Sequence, residues 1–149
     1  MKNINLNSDI GEGFGVYDIG NDTEMLKIVN SANIACGFHA GDPNVMDRVV
    51  KQSIKNGVSI GAHPGFNDLW GFGRRQIHMS TDEIEASVAY QIGALQAISA
   101  TNNAIVTHVK PHGALNNMSS LDPAIAAAIA RGVNLVDSKL ILVAVSGSF

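Results

Sequence analysis

What most limits the fold of this chain is an alternation of two periods. Short β-branched runs take turns with longer segments of helical spacing, and no low-complexity linker interrupts them. Strands are expected at Ile4–Ser8, Asn33–Gly37, Val58–Ala62, Ile105–Val109 and Leu140–Val145. Helices are expected near Asp22–Ser31, Asp42–Asn56, Ser80–Ala100 and Asp122–Val136. Val45, Met46, Val49, Val50 and Ile54 share one side of the second helix, and Ile84, Val88, Ile92 and Leu95 one side of the third. Asp42-Pro43 and Asp122-Pro123 each set a side-chain acceptor at the N-cap and a proline at the first helical position. Ser80-Thr81-Asp82-Glu83 has the capping-box spacing, and Asn56-Gly57 supplies a left-handed stop. Repetition of strand, helix and strand with such connections calls for a parallel sheet with right-handed crossovers.

The faces of the strands narrow the choice. Ile4, Leu6 and Ser8 alternate with Asn5, Asn7 and Asp9, and Ile34, Cys36 and Phe38 with Asn33, Ala35, Gly37 and His39. Val58, Ile60 and Ala62 alternate with Ser59, Gly61 and His63, and Ile105, Thr107 and Val109 with Val106, His108 and Lys110. One face of each is greasy. The other is small or polar and gains an ionisable group near its carboxyl end. A sheet covered on both faces reads apolar throughout. A barrel accounts for the asymmetry, because outward residues pack on helices while inward ones line a site at the strand C-termini.

The expected fold class is therefore α/β, a partial (β/α) barrel with five parallel strands forming one domain over 1–149. Closed barrels of this kind take about 250 residues, and the sequence stops just after its fifth strand. The C-terminal βα units are thus expected to be missing, through a fragment, a sector supplied by another chain, or an open sheet. Such an arrangement would leave edge strands bare.

Composition excludes several classes. The 149 residues are 46% hydrophobic and 15% charged, which provides a core and rules out disorder or a coiled coil. Net charge is −3 without a basic stripe, so nucleic acid is not an expected partner. The longest apolar stretch, Leu140 to Val145, is too short to span a membrane, and the amino terminus lacks a signal-like apolar block. Cys36 is the only cysteine and has no internal partner, which fits a reducing, cytoplasmic location. Its outward alternation makes it a small buried hydrophobe rather than a nucleophile.

Four clusters carry chemistry. Asn7-Ser8-Asp9-Ile10-Gly11-Glu12-Gly13 sets two carboxylates where the first strand meets a glycine-rich loop, suited to acid and base roles or to a cation. Its glycines do not form a phosphate-binding fingerprint. Ala35-Cys36-Gly37-Phe38-His39-Ala40-Gly41-Asp42 puts His39 at the inward end of the second strand and Asp42 at a helix cap. Gly61-Ala62-His63-Pro64 projects His63 at the rim, and the long connection to Met79 carries Arg74 and Arg75, bidentate donors for carboxylate or phosphate. His78 precedes a helix cap and is read as bland. His108-Val109-Lys110-Pro111-His112 supplies two further imidazoles and an amine. Convergence of Asp9, His39, His63, His108 and Lys110 on one axis is the informative feature, because burying unpaired charges merely for packing costs several kcal/mol each.

These motifs, together with Ser31-Ala32-Asn33-Ile34, Gly71-Phe72-Gly73-Arg74-Arg75 and His112-Gly113-Ala114-Leu115, resemble the LamB/YcsF family along the whole chain. The resemblance implies a barrel similar to that of the glycoside hydrolase/deacetylase superfamily. It further implies one component of an ATP-dependent 5-oxoprolinase that opens 5-oxoproline to glutamate with two partner subunits, B and C. Two departures stand out. Family members continue well past Phe149, and Leu115-Asn116-Asn117 stands where the family usually has Leu-Tyr-Asn, removing an aromatic ring near the site.

A γ-lactam amide is resonance-stabilised and water is a weak nucleophile, so phosphorylating the lactam oxygen explains the need for ATP. Asp9 or Glu12 is expected to activate water, with His39, His63 or His108 holding or protonating the ring nitrogen. Lys110 and Arg74 would neutralise a carboxylate or a transferring phosphate, with Asn7, Arg75 and His112 as further binding residues. A rival reading is a metal-dependent amidohydrolase or deacetylase, with a divalent metal on Asp9, His39 and His63. Another is a non-catalytic assembly subunit. Formation of a homo-oligomer stays open, and ATP contact is inferred from the family alone, since no Walker sequence is present.

Overall fold

The computed structural model describes residues 4–147. Five parallel strands form one sheet in sequential order: β1 (Asn7–Ile10), β2 (Ser31–Ala35), β3 (Ser59–His63), β4 (Val106–Val109) and β5 (Ile141–Leu142). Between them run α1 (Asp22–Met25), α2 (Pro43–Asn56), α3 (Thr81–Thr101), α4 (Gly113–Ser119) and α5 (Pro123–Val136). A doubly wound sheet reverses its strand order at a switch point; the sequential order here has no such reversal and is compatible with the expected barrel sector.

The helices form where their ends are satisfied. Asp42 accepts from the backbone N–H groups of Asn44 and Val45 at 2.8 and 3.0 Å, Asp122 accepts from Ala124, and Ser80 and Glu83 make the capping box. Gly57 ends α2 at φ 68°. The apolar stripes of α2 and α3 meet the greasy face of the sheet in one core that includes Ile34, Ile60, Val49, Val88, Ile92 and Leu95. Each fully buried aliphatic side chain there contributes roughly 1.5–3 kcal/mol over exposure. Cys36 lies in that core, and burial pushes its thiol up to about 12, so it is inert as expected. The other face of the sheet is polar. Asn5, Asn7, Ser31, Ser59, Thr107 and His108 border a cavity of about 450 Å³ on that side.

Several expectations need correction. β1 begins at Asn7 rather than Ile4, and Ile4 is 89% exposed instead of packed. The helix expected over 22–31 is the single turn of α1, because Ser31 already pairs with Asn7 as the first residue of β2. β2 therefore ends at Ala35, and His39 stands in the bend after it rather than on the strand; Gly37, at φ 92°, donates to the Ala40 carbonyl to close that bend. A register shift between Ile60 and Gly61 inserts Thr107 as an extra residue opposite β3, so Val106 and Val109 both join the core instead of alternating. Pairing with β4 confines β5 to Ile141–Leu142, since β4 ends at Val109. The short helix α4 was not anticipated, because Pro111-His112-Gly113 reads as a turn.

Candidate active site

The carboxyl ends of β1, β3 and β4, with the bends after β2 and β4, bring the acidic, imidazole and amine groups together. On the inward face, side-chain amides form a ladder. Asn33 donates to Asn7 Oδ1 at 2.6 Å and to Asp9 Oδ1 at 2.7 Å, while its own oxygen lies 3.0 Å from His108 Nε2. An ionised carboxylate only accepts, so Asp9 fixes the Asn33 amide orientation; the amide oxygen then requires His108 to carry its proton on Nε2. Burial pushes the His108 imidazole down, keeping it neutral. Its ring packs against Gly61, where a Cβ would sit 2.1 Å from Nε2, so any larger residue at this point of β3 must displace the imidazole.

Asp9 faces the solvent side of this ladder. Lys110 Nζ donates to its two oxygens at 2.8 and 3.0 Å, and His63 Nε2 lies 3.4 Å from Oδ2. Burial pushes the Asp9 carboxyl up, but the hydrogen bond and charge of His63, with the hydrogen bonds from Lys110 and Asn33, hold it well below the usual range.

Behind Asp9 sits a denser cluster of His39, His63, His112 and Glu12. The three imidazoles are 1%, 0% and 4% exposed. His39 and His112 stack with ring centroids 3.7 Å apart, and His63 stands edge-on to both. Glu12 Oε1 lies 3.0 Å from His39 Nε2 and 3.4 Å from His112 Nδ1. One ligand atom from each of the four residues falls within 4.8 Å of all the others, so these are the residues that can hold a metal. Burial, with the charges of His39 and His63, pushes His112 down to about 4. Burial also lowers His39. Glu12 is held below the ordinary carboxylate value by the His39 hydrogen bond and the surrounding imidazoles, against the upward push of burial.

The long connection after β3 walls this cluster. Gln91 of α3 clamps it by accepting from Gly65 N and donating to Gly65 O, both at 3.0 Å. Gly73, at φ 63°, lets the chain pass so close that a Cβ would lie 2.7 Å from His39 Cβ and 2.8 Å from His112 Cδ2. Arg75 is tied to Asp68 through its guanidinium and does not enter the site. Arg74 is exposed, sits 5.5 Å from the centre of the Phe72 ring, and borders a polar cavity of about 280 Å³ with Asp9, Lys110, His63, His112 and Asn116. An apolar cavity of about 480 Å³, with Phe14, Tyr17, Trp70 and Phe72 in its wall, reaches Glu12 and His39 from another side.

Asp9, Glu12, His39, His63, Lys110 and His112 thus meet, with Arg74 at the mouth; Asn7 and His108 act through Asn33, and Arg75 braces the loop. His78 is exposed and stands outside the site. Sequence reasoning passed over Asn33 and Gln91 as functional positions. An asparagine on the inward face of an otherwise apolar strand was the available signal for the first. A glutamine within the apolar stripe of α3 was the signal for the second.

Sequential parallel strands with an acid–imidazole–amine site at their carboxyl ends define an α/β protein built for polar chemistry. Its sequence matches the profile of the LamB/YcsF family over residues 4–149, and the chain belongs to that family. Among curated relatives, it is 56% identical over 148 residues to a protein of Natranaerobius thermophilus whose name makes it the A subunit of 5-oxoprolinase. It is 57% identical over 148 residues to one of the same name in Geobacillus kaustophilus. Each alignment covers 99% of this chain, which spans 58% and 57% of those relatives. The crystal structure of a lactam utilization protein from Thermus thermophilus superposes with a TM-score of 0.97 at 45% identity, covering 99% of this chain and 60% of that one. No described helix is long and apolar enough to cross a membrane.

Proposed function

We propose that this chain acts as the A subunit of an ATP-dependent 5-oxoprolinase, hydrolysing the lactam amide of 5-oxoproline to glutamate in a cytoplasmic complex with subunits B and C. The observation that carries the reading is the Asp9–Lys110 pair, set at the mouth of a polar cavity beside Arg74, in a chain whose relatives bear that name. An exposed guanidinium at the mouth suits the carboxylate of 5-oxoproline. Asp9, kept ionised by its partners, is placed to take a proton from water as oxygen adds to the lactam carbonyl carbon. The Lys110 ammonium counters charge growing on the carbonyl oxygen. The C–N bond then breaks, and the ring nitrogen, taking a proton, becomes the amine of glutamate. ATP, the co-substrate of the complex, gives its γ-phosphoryl group to the lactam oxygen and leaves as ADP; once the ring C–N bond has opened, a second water releases that group as phosphate and leaves the carboxylate of glutamate.

Asp9→Asn should lower lactam-dependent turnover of the assembled complex by about 10²–10⁴-fold, the span of one general base, with the folded circular dichroism spectrum retained and the unfolding midpoint lowered by the lost Lys110 and His63 contacts. Arg74→Ala should chiefly raise KM for 5-oxoproline. Full turnover in Asp9→Asn would remove this carboxylate from the chemistry.

A further inference from the structure

The cluster behind Asp9 contains a conflict that the protein atoms do not resolve. His63 Nδ1 lies 2.5 Å from the Lys110 carbonyl, and His112 Nε2 lies 2.8 Å from the Phe72 carbonyl. A carbonyl only accepts, so each of these nitrogens carries a proton. With both rings neutral, the remaining nitrogens, His63 Nε2 and His112 Nδ1, turn lone pairs toward one another across 2.9 Å in a buried site; a second proton on His63, the form in which it donates to Asp9, relieves only that one pair. Two lone pairs at that distance repel, so something positive belongs with them. Glu12 Oε1, which is 3.9 Å from the first nitrogen and 3.4 Å from the second, brings negative charge to the same point. His39 Nε2 completes the group at 3.0 Å from that oxygen.

From this geometry we infer that Glu12, His39, His63 and His112 bind one divalent transition-metal ion of the zinc class. A single proton bridges one pair of atoms, whereas four donors converge here. Nitrogen and oxygen ligands at about 2.0–2.2 Å from a tetrahedral ion stand roughly 3.3–3.6 Å from one another; the spacings among Glu12, His63 and His112 run from 2.9 to 3.9 Å, and all four donor atoms lie within 4.8 Å of one another, so a bound ion would draw the widest pairs together. The Lys110 and Phe72 carbonyls already occupy the outer positions that orient metal-bound imidazoles. His39 Nδ1 has no partner among the described residues, which leaves it free to carry the proton while Nε2 ligates. Three imidazoles favour zinc or its first-row neighbours over calcium or magnesium. When bound, such an ion would polarise a carbonyl or acidify a water beside Asp9. The site adjoins the one read above as the lactam site, but the inference rests on donor geometry and not on the substrate.

The test is metal binding itself. The purified, chelator-stripped protein is titrated with Zn²⁺ by calorimetry and with Co²⁺ by visible absorption. One equivalent per chain is expected, at a Kd of about 1 μM or tighter, with the intense Co²⁺ bands of low coordination. His63→Ala, His112→Ala and Glu12→Gln should each weaken binding by at least about 100-fold, beyond the 10–100-fold that outer-sphere changes cost; His78→Ala should not. If a histidine variant fails to fold by circular dichroism, the Co²⁺ spectrum of the parent protein decides. Absence of saturable uptake would overturn the inference, as would uptake that the ligand variants leave unchanged. So would a far-downfield imidazole proton resonance that persists in excess Zn²⁺. Stoichiometric metal with no lactam turnover in the complex would sink the proposed function alone, and turnover without metal uptake would sink this inference alone.

Discussion

Gly61→Ala is the substitution that most directly tests how the inward face is built. The new methyl would lie 2.1 Å from His108 Nε2 and 2.3 Å from its Cδ2, far inside van der Waals contact. The strand cannot retreat, because β3 is paired on both sides, with Gly61 opposite Asn33 and His108. The imidazole must instead swing toward the cavity of about 450 Å³ that it borders. Doing so breaks its contacts with Asn33 Oδ1 at 3.0 Å and Thr107 Oγ1 at 2.9 Å. Two net hydrogen bonds at about 1 kcal/mol each, with ~0.5–1.5 kcal/mol for a displaced rotamer, give a loss of about 2.5–3.5 kcal/mol. Urea unfolding should show this as a midpoint about 1.2–1.8 M lower at an unchanged slope near 2 kcal/mol/M. In a His108→Ala background the obstacle is gone, and Gly61→Ala should cost less than about 0.5 kcal/mol, a coupling of about 2–3 kcal/mol in the double-mutant cycle. Equal costs in both backgrounds would refute the reasoning.

Two further outcomes follow from packing and charge. Gly132→Ala in α5 should destabilise by about 1–2 kcal/mol in the same assay, although helix propensity alone favours alanine by about 1 kcal/mol, because the added Cβ would sit 2.7 Å from the Glu85 carbonyl of α3; a gain in stability would show that the helices part freely. His108 titrates near 6.5 when unfolded and lower when folded, so the unfolded chain binds more protons as pH drops through that value. Its contribution is complete above about 6.5 and is lost as pH falls toward the folded value. Chelator-treated protein should therefore lose thermal stability between pH 7 and 5 more steeply than His108→Gln, and parallel profiles would contradict a buried neutral imidazole.

Much of this architecture was legible in the residues. Asp42, Ser80 and Asp122 mark helix starts because a side-chain acceptor satisfies orphan backbone donors locally, wherever the rest of the chain lies. The one-sided strands followed from the two-residue period, and with them the convergence of Asp9, His63 and Lys110 on one rim. Other features depended on partners distant in sequence. The register shift at Ile60/Gly61 that turns both Val106 and Val109 toward the helices is a property of a pair of strands. Arg74 and Arg75 are neighbours with the same chemistry, yet only the second meets Asp68. Glu12, not Asp9, completes the imidazole set, because Lys110 and Asn33 hold Asp9 outside it. His112 joins the ring only because the chain folds back after Pro111 and its Nε2 meets the Phe72 carbonyl. Sequence by itself determined periodicity, caps and the supply of acids, imidazoles and amines, since these depend on neighbours within a turn or two. Which of those groups share protons, pair charges or face an ion was decided by tertiary structure, since such interactions act over about 3 Å between segments far apart in the chain.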